Sequence, residues 1–343
     1  MANETEVKAL EDKFYSQEFF LSYSGLNKLM YSPRLFYNHY ILQEREEKVE
    51  SYLIEGKVIH CLLLENDSFN DQFIVTPSKL PSDNTRIAVD KVFQLYQNFV
   101  PVTNEDGSVG LLSPYLDDLT TEVLSVLVEM NLHQSLKTDQ QRLDKIITEE
   151  TKSYFEFLME KGNKTLVDPE TYERCKASVE ILRNNKAVSE LMSLVKSDFE
   201  LHEVYNEHYI ETKKELLPFG LKGIMDNIVV DYQNKIIYIN DLKTSSKSIS
   251  DFRESIEYYN YGLQAAIYKR LAINKFAMED FYKVVFNFVV IDKYQQVGIF
   301  EVSNDTMIQW QEKLDDALKQ AEWHYDNRNY SIPYEFKDGK VVL

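Results

Sequence analysis

Apolar and polar positions follow two periods along this chain, helical in its first half and alternating from residue 198 onward. In FFLSYSGLNKLMYSPRLFYNHYIL (19–42), Leu26, Leu29 and Met30 share one helical face, and Ser22 or Ser24 is placed to cap that helix. Ser32-Pro33 breaks it and opens a second helical run. Residues 1–20 are mixed in character and are expected to be loosely held. The acidic stretch EREEKVE (44–50) reads as a solvated face or linker. SYLIEGKVIHCLLLE (51–65) reads as an apolar helix in which Gly56 and His60, four apart, lie on one face.

Residues 67–197 read as a mostly helical insertion. PSKLPSDN and PVTNEDGSVGLLSP are rich in turn formers. TRIAVDKVFQLYQNF, YLDDLTTEVLSVLVEM and PETYERCKASVEILRNN carry helical periodicity. No residue set in this region forces a chemical reading.

From 198 the strand pattern takes over. DFELHEVYNEHYIE, ELLPFGLKGIMDNIVVD and KIIYINDLKT read as successive strands, the last two joined across the turn Tyr232-Gln233-Asn234. A helix is expected from about Ser255 to Asn274, with Tyr258, Tyr261, Gln264 and Tyr268 at spacings of three or four on one face. DFYKVVFNFVVID reads as a buried strand and QVGIFEVS as its partner. A helix capped near Ser303 or Asp305 follows, with Trp310 and Trp323 as packing residues. The tail SIPYEFKDGKVVL is expected to form a short hairpin or to dock elsewhere.

Two of these strands bring chemistry together. If the strand is regular, Asp241 and Lys243 point the same way, and a short turn sets Asp226 on the antiparallel neighbour. Two carboxylates on adjacent strands offer the oxygen ligands that Mg2+ or Mn2+ prefers, and the backbone carbonyl of Leu242 is a further candidate ligand. A lysine beside them can orient or help deprotonate a water and stabilise a developing oxyanion. The same residues would equally serve as an ordinary ion pair on a solvated sheet face. Thr244, Ser245 and Lys247 follow as donors suited to phosphate. His60, taken alone, is also a residue that cores accommodate readily.

Composition narrows the setting. The 343 residues are 44% hydrophobic and 13% aromatic, too apolar for a disordered protein. The formal net charge is −18, which argues against a surface uniformly suited to polyanions. The window Lys213–Lys275 departs from that average, with ten basic residues against seven acidic ones. Cys61 and Cys175 are far apart and no CxxC occurs, so neither an iron–sulfur cluster nor a zinc knuckle can be built. The first residues lack an apolar segment and no run approaches a membrane span, so a reducing, cytoplasmic setting without membrane association is expected.

Gly56…His60, Gly223-Ile224-Met225-Asp226, Asp241-Leu242-Lys243-Thr244 and Gln264…Tyr268, in that order, resemble the PD-(D/E)XK nuclease superfamily. Within it, SYSGLNKLMYSPRLFY, EGKVIHCLLLE, DLKTSS and YNYGLQAAIY are similar to the RecB-like and exonuclease VIII (RecE-like) branch. The match covers residues 22–66 and 200–292. It implies an α/β restriction-endonuclease-like core, a central mixed β-sheet flanked by helices, with the helical insertion set into it. The expected divisions are 1–66, 67–197 and 198–343.

The resemblance also implies roles. His60, Asp226, Asp241 and the Leu242 carbonyl would hold Mg2+ or Mn2+, and Glu203 would match a first-strand glutamate, although Glu207 and Glu211 share its strand and parity. Lys243 would serve catalysis, Gln264 and Tyr268 would position the site, and Thr244, Ser245, Lys247, Tyr258 and Tyr261 become candidates for DNA contact. The expected activity is exonucleolytic hydrolysis of duplex DNA ends in phage or bacterial recombination or replication. Expected partners are DNA, a recombination or single-strand-annealing protein, and further copies of the chain; the setting is the cytoplasm of a bacterium or phage-infected host. An inactive nuclease-like scaffold and a structure-selective endonuclease are the alternatives. The iron–sulfur relatives are excluded for want of cysteines.

Overall fold

The computed structural model describes residues 4–44, 51–99, 102–103, 109–110, 113–194, 202–213, 217–276 and 282–341. Two compact units emerge, one of Met1–Asn66 with Ala177–Leu343, the other of Asp67–Lys176.

The first unit opens with α1 (Glu4–Ser16), β1 (Phe20–Leu21), α2 (Tyr23–Tyr31), α3 (Pro33–Phe36) and α4 (Ser51–Leu64). Ser22 Oγ accepts the Gly25 amide at 3.2 Å and caps α2, and Ser32 caps α3 with Pro33 in its first turn. The N-terminal segment is not loosely held. In α1, Phe14 and Tyr15 pack on the core against Phe19 and Tyr325, and the Tyr15 hydroxyl donates to that of Tyr330 at 3.0 Å. Those last partners lie some 300 residues away in sequence, so no local pattern announces them. The acidic stretch at 45–50 lies outside the described residues.

In the second unit α5 (Phe69–Gln72), β2 (Phe73–Val75), α6 (Asp83–Gln97), β3 (Val102–Thr103), β4 (Val109–Gly110), α7 (Thr120–Glu129), α8 (Asp139–Ile146), α9 (Glu149–Lys161) and β5 (Thr165–Val167) follow in order. Val89, Val92, Val123, Leu127, Ile146 and Phe155 form its buried centre. Capping boxes at Thr138/Gln141 and Thr148/Thr151 start α8 and α9, two helices outside the three stretches whose periodicity was read as helical. Most of the turn-rich stretch 101–112 lies outside the described residues, apart from the antiparallel β3–β4 pair.

α10 (Pro169–Asn184) leads back into the first unit, where α11 (Lys186–Leu191), β6 (His202–Thr212), β7 (Gly220–Asp231), β8 (Ile236–Ser245), α12 (Phe252–Tyr258), α13 (Tyr261–Phe276), β9 (Lys283–Asp292), β10 (Val297–Glu301) and α14 (Asn304–Asn327) complete the chain. The architecture is α/β, a central mixed sheet flanked by helices. Strands β1, β7, β8, β9 and β10 lie side by side in that order, and β6 pairs along β7. β7–β8 and β9–β10 are antiparallel, whereas β8–β9 and β1–β7 are parallel. Met225, Ile228, Ile237, Ile239, Phe286 and Phe288 bury one face against Ala265, Ile267 and Leu271 of α13 and Leu314 and Leu318 of α14.

The single helix expected over 255–274 is two helices. Asn260 takes a left-handed backbone, φ 55°, and ends the first at Tyr259. Asparagine tolerates that conformation better than most residues because its side chain can bond locally; here the Asn260 amide donates to Asn27 Oδ1 at 2.8 Å. Tyr258 is thereby detached from the face shared by Gln264 and Tyr268 and is 79% exposed. Trp310 packs in the core, and Trp323 meets Tyr334 edge-on at 5.7 Å. Among its described residues the tail forms a 3-10 turn, Tyr334–Phe336, rather than a hairpin. No helix among the described residues is long and apolar enough to cross a membrane.

Candidate metal centre

The sheet loses its regularity at one row. The β7–β8 ladder runs back from Asp231–Ile236 and stops at Asn227–Asn240, one residue short of Asp226 and Asp241. The β6–β7 ladder runs from His202–Asp231 to Thr212–Leu221 and omits one pair, Glu207 with Asp226. Glu207 has φ +44°, a left-handed backbone that an L-residue adopts at a cost on the order of 1–3 kcal/mol. Alternation resets there. Met225 and Ile228 both face the α13-side core although three apart, as do Tyr205 and Ile210 although five apart, spacings that a regular strand sends to opposite faces.

This irregularity gathers three ligand-type groups. His60 Nδ1 lies 3.4 Å from Glu207 Oε1 and 3.7 Å from Asp226 Oδ1. The candidate ligand atoms of all three residues fall within 4.8 Å of one another. His60 Nε2 is 3.0 Å from the Leu242 carbonyl, which can only accept, so Nε2 carries a hydrogen and Nδ1 is the ring nitrogen turned to the carboxylates. α4 reaches the sheet closely because Gly56 has no Cβ; one built there would lie 3.1 Å from Thr244 Oγ1. Burial alone would pull the His60 pKa down. The Asp226 and Glu207 carboxylates more than offset this, and it ends above 6.5.

Asp241 lies beside this cluster with its two oxygens divided. Oδ1 accepts from Gln264 Nε2 at 2.8 Å, and Oδ2 forms an ion pair with Lys243 Nζ at 2.5 Å whose geometry is not that of a hydrogen bond. Burial pushes the Asp241 carboxyl up to about 6, Lys243 pulls against that, and Asp226 adds to the rise. Burial would lower Lys243, but Asp241 and Asp226 hold it above its ordinary value, so it is a cation. Its ammonium sits 4.9 Å from the centre of the Tyr261 ring. Gln264 Nε2 also lies 3.2 Å from the Tyr268 hydroxyl, and the Tyr268 ring fills a slot left by Gly223, where a Cβ would stand 2.7 Å from Cε1.

His60, Asp226, Asp241, Lys243, Gln264 and Tyr268 are therefore brought together, with the Leu242 carbonyl engaged by His60 Nε2. Glu203 is not part of the group: its carboxylate accepts from the Tyr205 and Tyr232 hydroxyls, which lower its pKa. Ser245 is engaged in a local turn with Lys247, and Lys247 Nζ lies 3.8 Å from Glu254. Thr244 is exposed. The place expected for Glu203 is taken by Glu207, one of its two alternatives of equal parity, and the signal that selects it is register: pairing Thr212 with Leu221 sets it opposite Asp226.

The donor set suits a hard divalent cation. It offers one imidazole nitrogen and carboxylate oxygens in a partly desolvated place, where burial and a neighbouring carboxylate already strain the ionised form of Asp241. Gln264 Oε1 is buried without a hydrogen-bond partner at the same spot.

No protein-family model and no curated protein matches the chain. Among solved structures, a proposed exonuclease from Eubacterium rectale is similar at 11% identity over 100% of this chain and 95% of that one, with a TM-score of 0.47. A second, known by a locus label alone, is 11% identical over 76% of this chain and 97% of its own, with a TM-score of 0.22.

Proposed function

We propose that this chain is a metal-dependent deoxyribonuclease of the PD-(D/E)XK type, acting on duplex ends in bacterial or phage recombination. The observation that carries this reading is the meeting of His60 Nδ1, Glu207 and Asp226 within 4.8 Å, beside the buried Asp241–Lys243 pair. His60, Glu207 and Asp226 would hold Mg2+ or Mn2+, with Asp241 and the Leu242 carbonyl at hand to complete the shell. When bound, the cation would neutralise charge on the phosphodiester and lower the pKa of a water.

The chain's own groups do the rest. Lys243, kept cationic by two carboxylates, donates to phosphate oxygens as negative charge grows on them and does not act as the base. Gln264 holds Asp241 at 2.8 Å, and Tyr268, kept neutral by burial, packs behind Gln264. Asp241 in turn fixes the lysine. Hydrolysis adds water at phosphorus, breaks one P–O bond and delivers a proton to the leaving oxygen. Tyr258, exposed at the end of α12, is available to stack on a base.

The test is digestion of an end-labelled linear duplex beside a closed circle, in Mg2+, Mn2+ or EDTA, with wild type and Lys243→Ala. Metal-dependent loss of the linear substrate alone is expected, reduced in Lys243→Ala by about a hundredfold or more. Intact linear DNA with either metal defeats the exonuclease reading. A Lys243→Ala variant as fast as wild type defeats the assigned mechanism.

A further inference from the structure

Four asparagines cross the sheet in one row. Asn206 on β6 is in register with Asn227 on β7, Asn227 with Asn240 on β8, and Asn240 with Asn287 on β9. Their amides form a directed chain: Asn287 Nδ2 donates to Asn240 Oδ1 at 3.0 Å, Asn240 to Asn227 at 2.8 Å, and Asn227 to Asn206 at 2.8 Å. Three of them also donate to helix ends, Asn240 and Asn227 with the second N–H, and Asn206, which ends the row as an acceptor, with its own amide. Asn240 donates to Leu191 O at 3.2 Å, Asn227 to Met192 O at 3.1 Å, and Asn206 to Leu64 O at 3.1 Å. Backbone carbonyls only accept, so these contacts fix which end of each amide is nitrogen and hence the direction of the whole row.

The row occupies the last register position before β7 and β8 part. Asn227 directly follows Asp226 and Asn240 directly precedes Asp241, so the two carboxylates that leave the ladder are each one peptide from a buried, doubly bonded amide. Asn206 directly precedes Glu207, and its partner Leu64 ends the helix that carries His60. A buried amide of this kind is costly unless every hydrogen bond is made, so it specifies one register and opposes slippage. Apolar side chains would bury as well without that constraint.

We propose that Asn206, Asn227 and Asn240 are positioning residues for the metal site, holding Glu207, Asp226, Asp241 and the end of α4 in the one arrangement where their ligand atoms converge. This rests on the metal-centre reading above. Asn287 serves as internal control: it belongs to the row, but its strand supplies none of the gathered groups.

Two measurements on Asn206→Ala, Asn227→Ala, Asn240→Ala and Asn287→Ala test this, alongside thermal unfolding. Mn2+ binding by electron paramagnetic resonance should weaken about tenfold in Asn227→Ala and Asn240→Ala, the scale set by losing partners behind a metal site. It should weaken less in Asn206→Ala, at the exposed end of the row, and stay near wild type in Asn287→Ala. In metal-free protein, exchange of the Leu242 amide, which donates to Asp226 Oδ2, should accelerate in Asn227→Ala and Asn240→Ala but not in Asn287→Ala. If all four variants lower the melting temperature while Mn2+ affinity and Leu242 exchange stay at wild-type values, or if Asn287→Ala matches the others in both, the row is structural only and the proposal falls. Should Asn227→Ala or Asn240→Ala not fold, Asn206→Ala against Asn287→Ala decides it by the same two readouts. A wild type that binds no Mn2+ defeats the metal-centre reading by itself, and Leu242 exchange then decides the role of the row alone.

Discussion

The carboxylate of Asp226 accepts the backbone N–H of Leu242 at 2.7 Å, where the strands have ceased to pair: Asp226 is one residue and Leu242 two residues beyond the last pair, Asn227–Asn240. A side chain here takes the place of a ladder carbonyl. That bond turns Oδ2 toward β8 and leaves Oδ1 toward His60 and Glu207. Asp226→Asn keeps an acceptor for Leu242 and loses the charge, so calorimetric metal binding should collapse with little change in melting temperature. Asp226→Ala loses both, and leaving the amide without its partner should cost a further ~1–3 kcal/mol.

Glu207, proposed as a ligand, shares its strand with Glu203, which the proposal leaves out. Glu207→Gln should weaken Mn2+ binding by about tenfold or more, since even partners behind a ligand matter on that scale. Glu203→Gln, engaged with Tyr205 and Tyr232, should remain within about twofold of wild type. Because Glu207 holds φ +44°, Glu207→Gly should be more stable than Glu207→Ala by about 1 kcal/mol, read from denaturant unfolding.

Without metal, two groups tie stability to pH in the same direction. His60 has a folded pKa above 6.5, so its contribution is complete below 6.5 and is lost as pH rises through the folded value. Asp241 is raised from 3.8 to about 6, so its ionisation costs stability as pH climbs through that interval. In both cases the native chain holds more protons than the unfolded one. These two groups should therefore pull the melting temperature in EDTA down from about pH 4 to pH 6 and again above pH 6.5, against the opposite pull of His208 and His324, whose pKa values burial lowers, and His60→Ala should flatten the part above 6.5. Metal must displace the His60 proton, so Mn2+ affinity should weaken on acidification.

Gly223 tests the support behind Asp241. A Cβ there would stand 2.7 Å from the Tyr268 ring, so Gly223→Ala must push Tyr268 out of its slot and disturb Gln264. A loss of ~1–3 kcal/mol is expected from overpacking, together with slower metal-dependent cleavage. Unchanged activity with the stability loss would mean that Tyr268 only packs.

The order of elements was written in the sequence: capping serines at 22 and 32, helical spacing through 51–65, and alternation through β6, β7 and β8 report local backbone preference, which needs no partner to be seen. The same holds for Asp241 and Lys243, two apart on one strand, and for Gln264 and Tyr268, one turn apart on a helix. What alternation could not carry was its own interruption. Counting by twos gave Glu203, Glu207 and Glu211 equal standing, and only the left-handed backbone at Glu207 and its register opposite Asp226 chose among them. The break at Asn260 likewise detached Tyr258 from the face it shares by spacing. His60 shows the division most clearly. Its helix was legible, but its partners Glu207 and Asp226 lie well over a hundred residues along the chain. Which atoms a side chain meets at that separation is settled by how helix and sheet pack, not by local preference.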